Sequence, residues 1–361
     1  MYGLEKPKKS VRRKGRAVTI DAVALRAGVS PMTVSRVVNG QGKVRESTRE
    51  KVMSAVRELD YTPNLAASSL AAARHTRIAL IYTNPSSAYL RELLVGALSG
   101  AARTAAQLVI DTWDNLNAEG QRSAARALAK SVSGVILPPP LCESKAVIQE
   151  FVSAGIPVVS IASSRFSNEF SCVRIDDFRA SKEMTAYLVS QGHTRIGYIK
   201  GNPNQSASAH RYSGFQAALA EAGIAHDETL VEQGYFTYRS GLDAGEKLLT
   251  HRHRPTAIFA SNDDMAAAVV SVAHRKGMDV PRDLSVVGFD DTSAATTVWP
   301  ELTTIHQPIS DMAGSAIEIL LRNLRRKDRS TRVVVDHLAA HQLIVRDSVA
   351  PLSRRKRSAK D

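Results

Sequence analysis

Two rhythms of apolar residues divide the chain. From Val18 to Leu59 they recur at three- and four-residue intervals in three bursts; from Arg77 onward short apolar runs alternate with longer amphipathic stretches. In the first region Ile20, Val23, Ala24 and Ala27 mark one helical face, with Thr19 placed to N-cap the helix and Gly28 to end it. Ser30 is a second N-cap, followed by Pro31 at the first helical position, where a missing N–H costs nothing. Val34, Val37 and Val38 form the buried stripe of this second helix. Met32, Thr33, Ser35 and Arg36 are left on or near its outer face, and Asn39-Gly40 closes it. A third helix over residues 46–59 brings Val52, Ala55, Val56 and Leu59 to a small shared core. Two short helices joined by a tight turn, the second presenting small polar groups and an arginine, form a device for reading base edges in a DNA major groove. On pattern alone such a surface is equally a solvated helix face.

Pro63 ends the third helix, and the Ala-rich stretch 64–73 has the length of one short helix that needs a partner to fold against. Beyond it, apolar runs bounded by turns predict strands at 78–82, 108–112, 134–137, 157–161, 173–176, 196–199, 230–235, 257–260, 285–289 and 303–306. Amphipathic helices are predicted between most of them, for example at 180–191, 211–222, 262–276 and 310–326. Alternating β and α elements imply parallel sheets covered on both faces. Ten strands exceed one compact sheet of this kind, so two similar Rossmann-like halves are expected, with a cleft between them as the natural place for a small ligand.

Charge sharpens this division. Residues 1–75 hold 15 basic and 6 acidic residues, residues 350–361 hold 5 and 1, and the stretch between has 28 of each. A neutral body with a basic head suits a polyanion bound through its phosphates. The tails at 1–16 and 350–361 read as disordered and basic. Cys142 and Cys172 stand apart without metal-ligand spacing, as reduced thiols of a cytoplasmic protein. No apolar run reaches membrane-spanning length, and the basic N-terminus has no apolar segment behind it. No Walker loop, Gly-x-Ser-x-Gly elbow or metal cluster is present, and the glycines of Gly40-Gln-Gly42 follow a helix and lack a third partner. Neither an enzyme nor a cofactor is expected. A pure sugar-binding transport protein is the remaining rival, against which the head and the missing signal peptide both speak.

Seven motifs, in this order, resemble the LacI/GalR family of bacterial transcription regulators. They are Val29-Ser-Pro-Met-Thr-Val-Ser-Arg-Val-Val-Asn39, Thr48-Arg-Glu-Lys-Val52, Leu59-Asp-Tyr-Thr-Pro-Asn64, Gln191-Gly-His-Thr-Arg-Ile-Gly197, Arg254-Pro-Thr-Ala-Ile-Phe-Ala-Ser-Asn-Asp263, Val280-Pro-Arg-Asp-Leu-Ser-Val-Val-Gly-Phe-Asp-Asp291 and Leu302-Thr-Thr-Ile305. The resemblance implies an all-α helix-turn-helix head (17–62), a hinge helix or linker (63–75) and an α/β body (76–349) of type I periplasmic-binding-protein architecture. Its two Rossmann-like subdomains would comprise 76–175 with 306–333, and 176–305 with 334–349. It further implies a homodimer on a pseudo-palindromic double-stranded operator, acting as a repressor, with a small carbohydrate effector in the cleft. The C-terminus lacks the apolar heptad by which tetrameric relatives pair dimers.

By the same resemblance Pro31, Met32 and Arg36 read bases, Arg36 as a bidentate partner of guanine. Thr19, Ser30, Thr33, Ser35 and Asn39 hold phosphates. Leu70 falls where the family places a minor-groove wedge, the alternative being a leucine that packs the hinge onto the body. Arg211 and Asp290 stand at effector-holding positions, where a guanidinium and a carboxylate grip adjacent hydroxyls. Asn262 is a second polar candidate. Tyr89 and Phe259 offer faces for a sugar ring, each with core packing as its alternative. Two departures from the family pattern stand out. Ala162 replaces the aspartate that many relatives carry after Ile156-Pro-Val-Val-Ser-Ile161, and Gln205 stands where purine-responsive relatives have an arginine.

Overall fold

The computed structural model describes residues 19–38, 44–61, 76–83, 86–163, 167–326 and 332–352. The chain divides after His75 into a head and a body, each compact in itself.

The head consists of α1 (Ile20–Ala27), α2 (Pro31–Val38) and α3 (Glu46–Glu58). Thr19 Oγ1 accepts the Ala22 N–H at 3.4 Å, and Gly28 ends α1 at φ 65°, a left-handed turn that only glycine enters without strain. Val23, Ala24, Val34, Val37, Val52 and Ala55 meet in one small core. Arg26 pairs with Glu58 at 2.7 Å, tying the end of α1 to the end of α3. Both side chains are half-exposed, so the pair fastens the helices only weakly.

The first half of the body runs β1 (Arg77–Tyr82), α4 (Ser87–Thr104), β2 (Gln107–Thr112), α5 (Ala118–Ala129), β3 (Gly134–Leu137), α6 (Lys145–Ser153), β4 (Val158–Ile161) and β5 (Ser171–Arg174). The second half contains α7 (Asp177–Ser190), β6 (Ile196–Lys200), α8 (Ser206–Glu221), β7 (Val231–Gln233), α9 (Tyr238–Thr250), β8 (Ala257–Ala260), α10 (Asp263–Arg275), β9 (Ser285–Val287), α11 (Ser293–Thr297) and β10 (Thr304–His306). The chain then returns through α12 (Ile309–Leu324) and β11 (Asp336–Leu338) and ends in β12 (Gln342–Ile344). The first sheet has the order β11-β5-β4-β3-β1-β2 and the second β7-β6-β8-β9, with every pairing parallel. Strands β3, β4 and β8 are buried along their whole length, as parallel strands covered by helices on both faces must be.

One expected boundary is corrected. Residues 334–349 do not all join the second half, because β11 pairs with β5 in the first sheet (Asp336 opposite Cys172) and only β12 crosses to pair with β10. Parallel pairing gives the unpaired edge of β5 a partner, and the Arg174–Asp336 bridge at 2.8 Å fixes it. Three strands, β5, β7 and β9, end two residues earlier than expected, β9 at Val287. Val231–Gln233 is preceded by a single 3-10 turn at Glu228–Leu230, and Asp176 caps α7 instead of extending β5. Helix α12 lies against α4 so closely that a Cβ on Gly96 would meet the Ser310 carbonyl. One apolar cluster runs through both halves, with Leu80 and Ile136 in the first and Tyr198, Phe215 and Phe259 in the second. The predicted hinge (63–75), Asn39, Leu70, the basic tail 1–16 and most of the C-terminal tail lie outside the described residues.

Candidate DNA-reading head and ligand cleft

In the head, Ser30 Oγ accepts the Thr33 N–H at 3.3 Å and pairs with Thr33 Oγ1 at 3.0 Å, so these two hydroxyls frame the N-terminus of α2. Val34 and Val37 turn inward, which sets the opposite face of α2 toward solvent. Pro31, Met32 and Arg36 are exposed there, Met32 to 66%. Arg36 makes no ion pair with another described residue, so its fork of donors is available to a partner. Helix α2 therefore presents an exposed guanidinium and an apolar patch on the side away from its own core.

In the body, the carboxyl ends of both parallel sheets converge on a cleft lined by Ser86, Tyr89, Pro139, Ala162, Gln205, Ala207, Arg211, Phe236, Asn262, Asp290 and Gln307. Arg211 lies at its centre on α8. Its Nε donates to Asp177 at 2.8 Å, and its Nη1 donates to the Ser261 carbonyl at 2.6 Å and to Asp290 at 3.3 Å. The guanidinium lies 3.6 Å from the centroid of the Phe289 ring. Asp290 also accepts from Gln307 Nε2 at 2.6 Å. It sits at φ 107°, an uncommon backbone state for a residue with a Cβ; Ala162 (φ 56°) and Phe236 (φ 62°), which also line the cleft, have positive φ as well.

Burial dominates the electrostatics. It pushes Asp290 up to about 7 against the opposing pull of Arg211 and Gln307. Asp177 is raised by burial, again opposed by Arg211. Burial works against the Arg211 cation, but Asp177 and Asp290 outweigh it and hold its pKa above the usual value. The Tyr89 phenol is raised by burial and then by Asp290, so it stays protonated. Its Oη and Gln307 Oε1 are buried without a hydrogen-bond partner. The cavity measures about 30 Å³, room for a water or two, so anything larger enters only when the walls part.

Contacts between the halves close the cleft. Glu143, in the 3-10 turn after β3, accepts from the Ser206 backbone N–H at 3.2 Å and from Ser206 Oγ at 2.5 Å at the first turn of α8. Gln205, the N-cap of α8, contributes no side-chain cap of its own. Asp264 of α10 also bonds Ser86, the N-cap of α4.

Of the body residues singled out from sequence, Tyr89, Arg211, Asn262 and Asp290 line this cleft, and Phe259 does not. Phe259 lies on β8 between β6 and β9, fully buried and edge-on to Tyr198 at 5.3 Å, so as a ring-stacking wall it is withdrawn. Asn262 lines the cleft with its polar atoms already used. Its Oδ1 caps Met265 N at 3.1 Å and its Nδ2 reaches the Phe236 carbonyl at 3.1 Å. Sequence reasoning missed Asp177, Gln307, Phe236 and Glu143. Asp177 stands three residues after β5 and Gln307 directly after β10, and the carboxyl ends of strands were the signal that could have found them.

Comparison with known proteins agrees with both parts. Residues 19–64 match the model described as bacterial regulatory proteins, lacI family, and residues 185–349 match a periplasmic binding protein-like domain. The HTH-type transcriptional regulator DegA of Bacillus subtilis (strain 168) is 36% identical over 337 residues, covering 93% of this chain and 99% of DegA. Among solved structures, the transcriptional regulator CelR in complex with cellobiose superposes with a TM-score of 0.69 at 31% identity, covering 92% of this chain and 99% of CelR. The lac repressor dimer bound to operator and the anti-inducer ONPF superposes at 0.73 with 26% identity, covering 93% and 100%. Its close relatives are transcription regulators, not enzymes. With a helix-turn-helix head, a two-half parallel-sheet body and these relatives along nearly its full length, the chain belongs to the LacI family of bacterial DNA-binding transcription regulators.

Proposed function

We propose that this regulator is a repressor that binds a pseudo-palindromic operator as a homodimer and is switched by a small ligand, of carbohydrate type, in the body cleft. The observation that carries the switch is the buried Arg211–Asp290 pair, set where the two halves meet and flanked by unpaired polar atoms. Such groups are costly to hold in a closed core without a partner to complete them. The relative CelR, held with cellobiose, supports the carbohydrate class. Ligand binding alters the angle between the halves, and operator affinity follows by as much as the ligand prefers one state.

On the DNA side, Arg36 supplies guanine recognition and Pro31 and Met32 supply apolar contacts to bases. Thr19, Ser30, Thr33, Ser35 and Asn39 set the register on phosphates, and Leu70 acts as the minor-groove wedge. The protein works in the cytoplasm. Among the described residues no helix is long and apolar enough to cross a membrane.

The test is selection of duplex sites from random DNA by the full-length protein, followed by binding titrations of the selected duplex and a scrambled one at fixed salt. Arg36→Ala is expected to weaken the selected duplex by 1–3 kcal/mol while changing the scrambled one much less. Equal losses on both would remove Arg36 from base reading. Sedimentation of the complex reads the dimer directly.

A further inference from the structure

We infer that Arg346 and His306 are positioning residues for the cleft: they hold Asp291, and through it keep the neighbouring Asp290 aimed at Arg211 and Gln307. The consequence for ligand binding rests on the reading of the cleft as the effector site; the geometry does not.

The backbone gives the first reason. Asp290 (φ 107°) and Asp291 (φ 57°) are consecutive residues with a Cβ at positive φ, a pair that persists only where the surroundings hold it. The segment runs beside the end of β10. There the Asp290 N–H donates to the Ile305 carbonyl at 2.9 Å and the Gln307 N–H to the Asp290 carbonyl at 3.4 Å. This parallel bridge sets Asp290 opposite His306. In a regular ladder the side chains of Asp290 and His306 would share one face, and those of Asp291 and Gln307 the other. The reversed backbone exchanges the partners. Gln307 Nε2 donates to Asp290 at 2.6 Å, and His306 Nδ1 lies 3.0 Å from Asp291 Oδ2. Asp290 and Gln307 line the cleft; Asp291 and His306 do not. Releasing Asp291 therefore frees the turn that aims Asp290.

The side chains that hold Asp291 give the second reason. Arg346 follows β12, the strand the chain reaches on its last crossing between the halves. Its Nη2 donates to Asp291 Oδ1 at 2.6 Å and its Nη1 to the Leu302 carbonyl at 2.9 Å, while its Nε lies 3.5 Å from Glu301. One planar fork thereby fixes the turn after β9 against the chain entering β10. The guanidinium and the Asp291 carboxylate are mostly buried, so solvent weakens this charged bond little. His306 donates to the other oxygen, and both oxygens of Asp291 are held. The charges that act most strongly on Asp290 itself are Arg211 of α8, Asp264 of α10 and Asp177 of α7, so Arg346 works on it through Asp291 and the backbone.

The experiment compares crystal structures of the full-length wild type, Arg346→Met and Asp291→Gly. The glycine variant removes the carboxylate and eases the backbone at φ 57°, so it keeps the test open if Arg346→Met does not fold. In each variant Asp290 is expected beyond about 3.5 Å from Gln307 Nε2, no longer hydrogen-bonded, with the Arg211–Asp177 pair in place. Asp290 still bonded to Gln307 in either variant overturns the inference. The second readout is the pH dependence of urea unfolding. Burial pushes Asp290 up to about 7 in the wild type, so Asp290→Asn alters the profile below that pH. In the Arg346→Met background the same substitution should alter it no more than about half as much, because a displaced Asp290 titrates in the ordinary carboxylate range. Comparison within one background cancels any general loss of stability. An undiminished difference overturns the inference, and the structures decide alone if Asp290→Asn leaves the wild-type profile unaltered. Neither readout uses an effector, so a cleft that binds none refutes the effector-site reading and leaves this inference standing.

Discussion

The contact between Glu143 and Ser206 gives the sharpest test of how the body closes. Glu143 stands on the first half and caps the first turn of α8 on the second, its Oε1 accepting both the Ser206 N–H and the Ser206 hydroxyl. Hydrogen bonds to a charged group contribute about 1.5–3 kcal/mol each when buried, and a carboxylate at a helix N-terminus adds about 0.3–1 kcal/mol. Both residues are only half-buried, so solvent screening brings the whole contact to about 1–2 kcal/mol. Removing it shifts the closed-to-open ratio by roughly 5- to 30-fold. Amide hydrogen exchange on the full chain reads this directly. In Glu143→Ala the Ser206, Ala207 and Ser208 amides should exchange faster by about that factor, while the α12 amides, packed within the first half, keep their protection. Ser206→Ala removes only the hydroxyl donor and should give a smaller change. Unaltered exchange at the start of α8 in Glu143→Ala would refute the idea that this bond holds the halves together. A uniform rise across the body would instead mean that Glu143 serves global stability.

Arg211→Met leaves Asp177 and Asp290 buried without their cation and is expected to lower stability by about 3–5 kcal/mol, read by urea unfolding at pH 7. Full stability would mean that the two acids are neutral in the closed state. Because Asp290 keeps its proton to higher pH when folded than when unfolded, the folded state binds more protons between the ordinary carboxylate range and about pH 7, and stability falls as pH rises through that window. Asp290→Asn should therefore flatten the stability profile there, by up to about 4 kcal/mol across the window, and parallel profiles for the two proteins would rule this out. Phe259→Ala should cost about 3–5 kcal/mol of stability and leave ligand affinity of the cleft unchanged, since the ring packs on Tyr198 and is not among the residues lining the cleft. A changed ligand affinity would return Phe259 to the site.

What the sequence determined by itself was largely local. Thr19, Gly28, Ser30 and Pro31 fix the ends of α1 and α2 by capping chemistry that acts within four residues, and those helices fall where the pattern predicts them. Runs such as Gly134–Leu137 and Ala257–Ala260 are strands for an equally local reason, being short, wholly apolar and bounded by turns. Tertiary structure decided what depends on distant partners. Strand β11 carries no apolar signal, its three residues being exposed, and it exists because the edge of β5, more than 160 residues earlier, offers it a ladder. Phe259 and Tyr89 are both aromatic candidates in the sequence; only the placement of β8 inside its sheet sends one ring into the core, while α4 brings the other to the cleft. The Arg211–Asp290 pair was legible from family position. That Asp177 and Gln307 complete it, and that Glu143 bolts the halves across it, follows from side chains converging across 34, 17 and 63 residues of separation, which no local pattern encodes.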